Sequence, residues 1–162
     1  MTHRLFLTLA AIGLGLGWTA TARAGDDFIA PVSDPLTLRE CGECHMAFAP
    51  GFLPARSWRA MMAGLANHFG QDASLAQGDR AAITATLEAG AADAPGGRRG
   101  LAAEFLSWVD PAGTPLRLTL NPAFLHEHRR VTPERLSARG VRSITACPAC
   151  HRNAERGWFD DD

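Results

Sequence analysis

The chain has 162 residues, with 16 basic against 17 acidic side chains, 46% hydrophobic residues and four cysteines. Near-neutral charge excludes a nucleic-acid binder, and the length bounds the protein to one domain or two very small ones. Every basic residue is Arg and Tyr is absent, which reflects a GC-rich coding bias rather than a function.

At the amino terminus, Met1 to Arg4 is a short basic start, Leu5 to Trp18 is an apolar run, and Ala22-Arg23-Ala24 puts small residues at a cleavage site. This pattern predicts a signal peptide over residues 1–24, cut before Gly25, and hence export to the periplasm. The apolar run is shorter than the roughly 20 residues that span a bilayer, so the mature chain is not expected to be membrane-spanning. Removing 24 of 162 residues leaves 138, and losing Arg4 and Arg23 leaves 14 basic against 17 acidic groups, a formal charge of about −3.

Pro31 to Leu38 is expected to be irregular and leads into Cys41-Gly42-Glu43-Cys44-His45. An apolar, turn-rich loop runs from Met46 to Pro54. A helix is predicted from Ser57 as N-cap to about Phe69, ended by Gly70, and a second from Asp79 to Glu88, stopped by Gly90. Ala91 to Gly100, with Pro95-Gly96-Gly97, reads as a linker dividing an amino-terminal region, 25–97, from a carboxy-terminal one, 98–162. Leu101 to Val109 has helical periodicity and stops at Asp110-Pro111. Leu116 to Leu120 alternates as a strand does, but so short a strand has no partner here, and extended loop is expected. Pro122 opens a short helix to about Arg130, and Cys147-Pro148-Ala149-Cys150-His151 opens a terminal helix that frays at Asp160 to Asp162. The predicted fold class is mostly α.

The two Cys-x-x-Cys-His pentads use up all four cysteines. Two thiols three residues apart can each form a thioether to one porphyrin vinyl group, and the adjacent imidazole then falls under the iron, so the pattern is that of c-type haem attachment. A four-cysteine zinc knuckle would also consume every thiol, but gives no reason for a histidine after each pair. Disulfides are the other competitor, yet an isolated Cys-x-x-Cys loop has the geometry of reactive redox pairs rather than durable staples. Two covalently bound haem c groups are therefore expected, on Cys41, Cys44 and His45 and on Cys147, Cys150 and His151.

Whether the far side of each iron is open or capped separates catalysis from electron transfer. His3 leaves with the signal peptide and His45 and His151 are proximal, so His68, His126 and His128 remain for two distal positions. In a continuous helix His68 falls on the same buried stripe as Trp58, which favours it as a ligand. His126 and His128 point about 200° apart on a helix, and spacing alone does not choose between them. Met46, Met61 and Met62 are the rival ligands, and Arg56, Arg59, Arg98, Arg99, Arg129 and Arg130 are candidate partners for haem propionates.

The stretch from Glu40 to Phe48, with Pro50 to Pro54, Ser57 to Leu65 and His68-Phe69-Gly70, resembles the amino-terminal haem region of the small dihaem cytochromes c called DHC. Cys147 to His151 followed by Ala154-Glu155 and Gly157 is similar to that family's carboxy-terminal end. The resemblance implies two bis-histidine, low-potential haems in a mostly helical protein, with a first half like a class I cytochrome c and an irregular, haem-wrapping second half. It implies His68 and His128 as the distal ligands, the first paired with the first haem by sequence proximity and the second with the second. The chain departs from the family pattern in also having His126 and in lacking a Trp near Phe124. The implied role is that of an electron carrier between a membrane cytochrome b and a small, soluble, oxygen-binding monohaem cytochrome. A dihaem peroxidase or small-molecule reductase is the rival enzyme reading; it needs one five-coordinate iron with an acid or base above it.

Overall fold

Asp34 starts the first helix of the structure, a computed structural model that describes residues 27–160. The predicted signal peptide, 1–24, and the terminal Asp161 and Asp162 lie outside the described residues. Helix α1 spans Pro35–Gly42: the Asp34 carboxylate accepts from the Thr37 N–H and hydroxyl, both at 2.7 Å, and Pro35 sits in the first turn, where its missing N–H is not needed. The expectation of irregular chain over Pro31 to Leu38 is thus corrected from Pro35 onward, because an Asp-Pro start is a capping signal to which hydrophobic periodicity is blind. The Thr37 hydrogen bonds hold the Asp34 carboxyl below the usual carboxylate range. The cap is therefore at full strength at neutral pH and is lost as pH falls through that lowered value.

Pro50–Phe52 forms a buried 3-10 turn, and α2 spans Ala55–Ala63. Pro54 offers no capping oxygen on its side chain, so Asp93 does this from a distance: its carboxylate accepts from the Ala55 N–H at 2.7 Å and pairs with Arg56 at 3.5 Å. Helix α2 stops at Gly64 instead of reaching Phe69, and a 3-10 turn over Leu65–Asn67 follows. Helix α3 spans Gln77–Ala89, starting slightly earlier than predicted, and buries Ile83 and Leu87. It ends at Gly90, where a Cβ would stand 2.9 Å from the Cβ of Pro50.

The expected linker is packed at its start. Ala91 and Ala92 are fully buried, the Ala92 N–H donates to the Leu53 carbonyl at 3.0 Å, and exposure begins at Pro95-Gly96 and continues at Arg98 and Arg99. Helix α4 spans Gly100–Ser107, and a 3-10 turn at Leu118–Leu120 stands where extended loop was expected. Helix α5 spans Pro122–Glu127; the buried Asn121 caps it at the Ala123 N–H, 2.9 Å, and donates to the Phe105 carbonyl at 3.1 Å. Helix α6, Pro133–Ala138, has no buried residue and so no periodic signal; the Thr132 hydroxyl caps it.

The predicted terminal helix does not form. Cys147–Ala149 and Ala154–Arg156 are single 3-10 turns, Pro148 removes a backbone donor, and Gly157 at φ +88° turns the chain back. Trp158 then bridges to Phe28, and the Ile29 N–H donates to the Gly157 carbonyl at 2.9 Å. Among the described residues there is no β-sheet, only this bridge and one between His68 and Gln71, and the fold is mostly α.

Two apolar clusters hold these elements. One gathers Leu53, Trp58, Met62, Leu65, Ile83 and Leu87 between α2 and α3, and the Trp58 indole N–H donates to the buried Pro50 carbonyl at 2.7 Å. The other joins Ile29, Phe52 and Ala92 to Leu101, Phe105, Leu118 and Phe124 from later in the chain. Phe52 meets Phe105 and Phe159 edge-on, with centroids 5.1 and 5.3 Å away.

A Cβ at Gly157 would run into the Ile29 carbonyl oxygen, whereas Gly140 is also left-handed, at φ +70°, but has open space around it. Gly157→Ala should therefore destabilise the protein by about 2–4 kcal/mol and Gly140→Ala by about 1 kcal/mol, read from thermal unfolding midpoints. Equal losses would show that backbone strain alone, and not the closure of the two termini, is at stake.

Candidate haem-binding sites

Cys41 lies in the last turn of α1, with Cys44 and His45 just beyond it. The His45 ring stacks on Phe48 at 4.8 Å, and its Nδ1 lies 2.8 Å from the Met46 carbonyl oxygen. Facing it is His68, with centroids 6.2 Å apart and planes 29° apart. Helix α2 has ended before His68, so the ring does not lie on the helical stripe of Trp58 as expected; a tight turn presents it. The His68 N–H donates to the Gln71 carbonyl at 2.7 Å, the Gln71 N–H donates back at 3.2 Å, and Phe69 and Gly70 between them take φ of 56° and 99°. Positive φ at both central residues is the hairpin-turn pattern, which suits Gly70 and strains Phe69.

The Phe69 ring lies 4.7 Å from His68, with the Arg117 guanidinium over it, 3.9 Å from its centroid. His68 is half-buried, and its Nδ1 is sealed from solvent with no partner among the described residues. Burial, with His45 and Arg117 beside it, lowers the His68 pKa and keeps the ring neutral, which is the form that binds a metal.

The second constellation is built around a cavity of about 600 Å³ whose walls include Cys147, Cys150 and His151 on one side and Phe124 and His128 on the other. The His151 Nδ1 lies 3.1 Å from the Asp160 carbonyl oxygen. His128 ends α5, stacks on Phe124 at 3.9 Å with planes 10° apart, and sets its Nδ1 2.9 Å from the Phe124 carbonyl oxygen. Its ring faces His151 with centroids 6.1 Å apart and planes at 75°. His126 instead points outward: it is exposed, stacked on Trp108 at 5.9 Å and 3.8 Å from the Glu127 carboxylate.

A metal–imidazole bond of about 2 Å plus about 1.1 Å from ring nitrogen to centroid puts two imidazoles sharing one metal about 6 Å apart. Both facing pairs have that span. Three of the four rings have Nδ1 at a backbone carbonyl, so Nδ1 carries the proton and Nε2 keeps its lone pair for iron. The cysteines suit thioethers as well. Burial pushes the Cys147 thiol up to about 11, and burial with Glu40 nearby raises that of Cys41. An uncharged thioether is at home in such surroundings, whereas a reactive redox thiol needs a lowered pKa. The four cysteines are unpaired, and among the described residues no three Cys, His, Asp or Glu side chains converge on one point.

The rival ligands and the propionate candidates fall mostly elsewhere. Met62 is core and Met61 packs against it, while Arg56 is held by Asp93 and by the Asp110 and Gly113 carbonyls, Arg59 by Glu88 at 2.8 Å, and Arg129 by the His126 carbonyl. Sequence reasoning missed Arg117, which arrives from the later half of the chain to lie beside His68, and Phe124, which aligns His128; neither carries a motif. Arg117 and Leu118 together span the two constellations, the first over Phe69 and the second in the wall of the cavity.

The family model for dihaem cytochrome c matches residues 37–159. No curated protein matches the chain. A dihaem cytochrome c from Rhodobacter sphaeroides is 44% identical, covering 80% of this chain and 99% of its own, with a TM-score of 0.66. A crystal structure of DHC purified from the same organism gives 43% identity over 80% and 99% at a TM-score of 0.63. The dihaem cytochrome type c of Shewanella baltica OS155 is 31% identical over 78% and 86%, with a TM-score of 0.60. With the family's two Cys-x-x-Cys-His pentads and a mostly α fold already in place, this chain belongs to the dihaem cytochrome c family.

Proposed function

We propose that the chain is a periplasmic electron carrier holding two haem c groups, one in residues 25–97 and one in 98–162. Cys41 and Cys44 would carry the first, with His45 and His68 as axial ligands; Cys147 and Cys150 would carry the second, with His151 and His128. Members of the family are electron carriers and not catalysts, and this chain is one of them. The donor would be a membrane cytochrome b and the acceptor a small, soluble, oxygen-binding haem protein.

The observation that carries the reading is the repeated imidazole spacing, 6.2 Å at one site and 6.1 Å at the other. When bound, each haem supplies a one-electron ferric/ferrous couple. The polypeptide holds that couple low and closed: two imidazoles favour ferric iron more than a Met/His pair does, and Nδ1–H donation from His45, His128 and His151 to backbone carbonyls raises their basicity. A peroxidase needs an open coordination position, and a second histidine ring about 6 Å from each pentad histidine supports a closed one. Among the described residues no helix is long and apolar enough to cross a membrane, which suits a carrier that diffuses between partners.

Replacing His68 or His128 singly with Ala should convert about one of the two haems to high spin, while His126→Ala leaves the absorption spectrum low-spin. A low-spin spectrum in His128→Ala together with a high-spin one in His126→Ala would reverse the second distal assignment. Cys147→Ala with Cys150→Ala should leave one stainable haem and a second half that loses its cooperative unfolding transition, because a 600 Å³ cavity would then lack its filling. A haem stain of denaturing gels and circular dichroism melts report both.

A further inference from the structure

The four axial imidazoles are not equivalent. His45, His128 and His151 each have a carbonyl acceptor at Nδ1, at 2.8, 2.9 and 3.1 Å, whereas the Nδ1 of His68 is buried and has none among the described residues. An imidazole that donates from Nδ1 is a stronger electron donor through Nε2 and stabilises ferric iron; one that does not leaves the iron easier to reduce. A second asymmetry lies next to the first. Arg117 reaches across from the later half of the chain, its guanidinium 3.9 Å from the centroid of Phe69, whose ring is 4.7 Å from His68. A fixed positive charge there favours the less positive, ferrous state, by an amount that water reduces because Arg117 and Phe69 are both exposed.

We infer that Arg117 and the unpartnered Nδ1 of His68 make the first site the higher-potential of the two, so that an electron taken up by the protein comes to rest between His45 and His68. The inference builds on the ligand pairs proposed above. With haem held at both sites, the one electron gained by the first site would be the one given up by the second, with no proton or bond exchanged, once a one-electron donor had reduced the second. The steeply crossed rings of His128 and His151, at 75°, act in the opposite direction by weakening ligand-field stabilisation of ferric iron. Against that one effect stand two at the first site, the guanidinium over Phe69 and the His68 Nδ1 without an acceptor.

The same ring angles label the two irons for the experiment. Rings 29° apart split the iron d orbitals and give a rhombic low-spin EPR signal, while rings at 75° leave two orbitals nearly equal in energy and give a highly anisotropic one. The holoprotein is titrated to half reduction, and the ferric signal that survives belongs to the lower-potential site. The expected survivor is the anisotropic signal, with the electron on the first site at least tenfold more often, equivalent to a gap of about 59 mV. Survival of the rhombic signal overturns the inference, and so does a gap below tenfold. Arg117→Gln should lower the upper wave and leave the lower one in place, with Arg117→Lys restoring it; an unmoved upper wave removes Arg117 from the account and overturns its part. Should the glutamine variant fail to take up haem, the wild-type titration still decides the order. Failure of the ligand pairs would look different: His68→Ala and His128→Ala would both keep two low-spin signals.

Discussion

Two imidazoles held about 6 Å apart, twice within 134 described residues, are the constraint around which the chain is arranged. A histidine ring left to itself explores several rotamers, and ligation asks for one. Three of the four rings are therefore tied from behind. Phe48 and the Met46 carbonyl fix His45, the Phe124 ring and carbonyl fix His128, and the Asp160 carbonyl fixes His151. His68 is the exception, oriented by the backbone of its turn and by Phe69 rather than by a hydrogen bond at Nδ1.

The apolar core serves these placements more than it fills a volume. The α2 and α3 cluster supports the segment that carries His68, and the second cluster brings Phe52 and Phe124 to the cavity where His128 and His151 face each other. Beyond α5 hardly any side chain is buried: α6 has none, and Cys147 and Ala154 stand nearly alone. A region so poor in buried apolar area gains little from its own hydrophobic effect, and a large covalently attached ring system would supply the missing contacts.

Much of this was legible in the sequence, and the parts that were not share a physical cause. The pentads were readable because thioether attachment demands a fixed local spacing, and α3 because its apolar periodicity ends at a glycine. Helix α1 was missed because a carboxylate cap, not a pattern of apolar residues, starts it, and α6 because nothing on it is buried. The overlong reading of α2 came from counting a helical stripe through Gly64. The structure sets His68 opposite His45 by a left-handed turn that no periodicity encodes. Arg117 acts across dozens of residues of chain, and no local signal announces such a contact.

Asp93, a residue expected in a loose tether, caps a helix 38 positions earlier and pairs with Arg56 as well. With Ala91 and Ala92 sunk in the core next to it, the join between the two haem regions is stiff. Tunnelling between redox centres decays exponentially with their separation, so a hinged join would make transfer wait on chance encounters of two swinging bodies. A stiff join makes the internal rate a property set once, at folding, and leaves docking with outside partners as the step that viscosity and salt can govern.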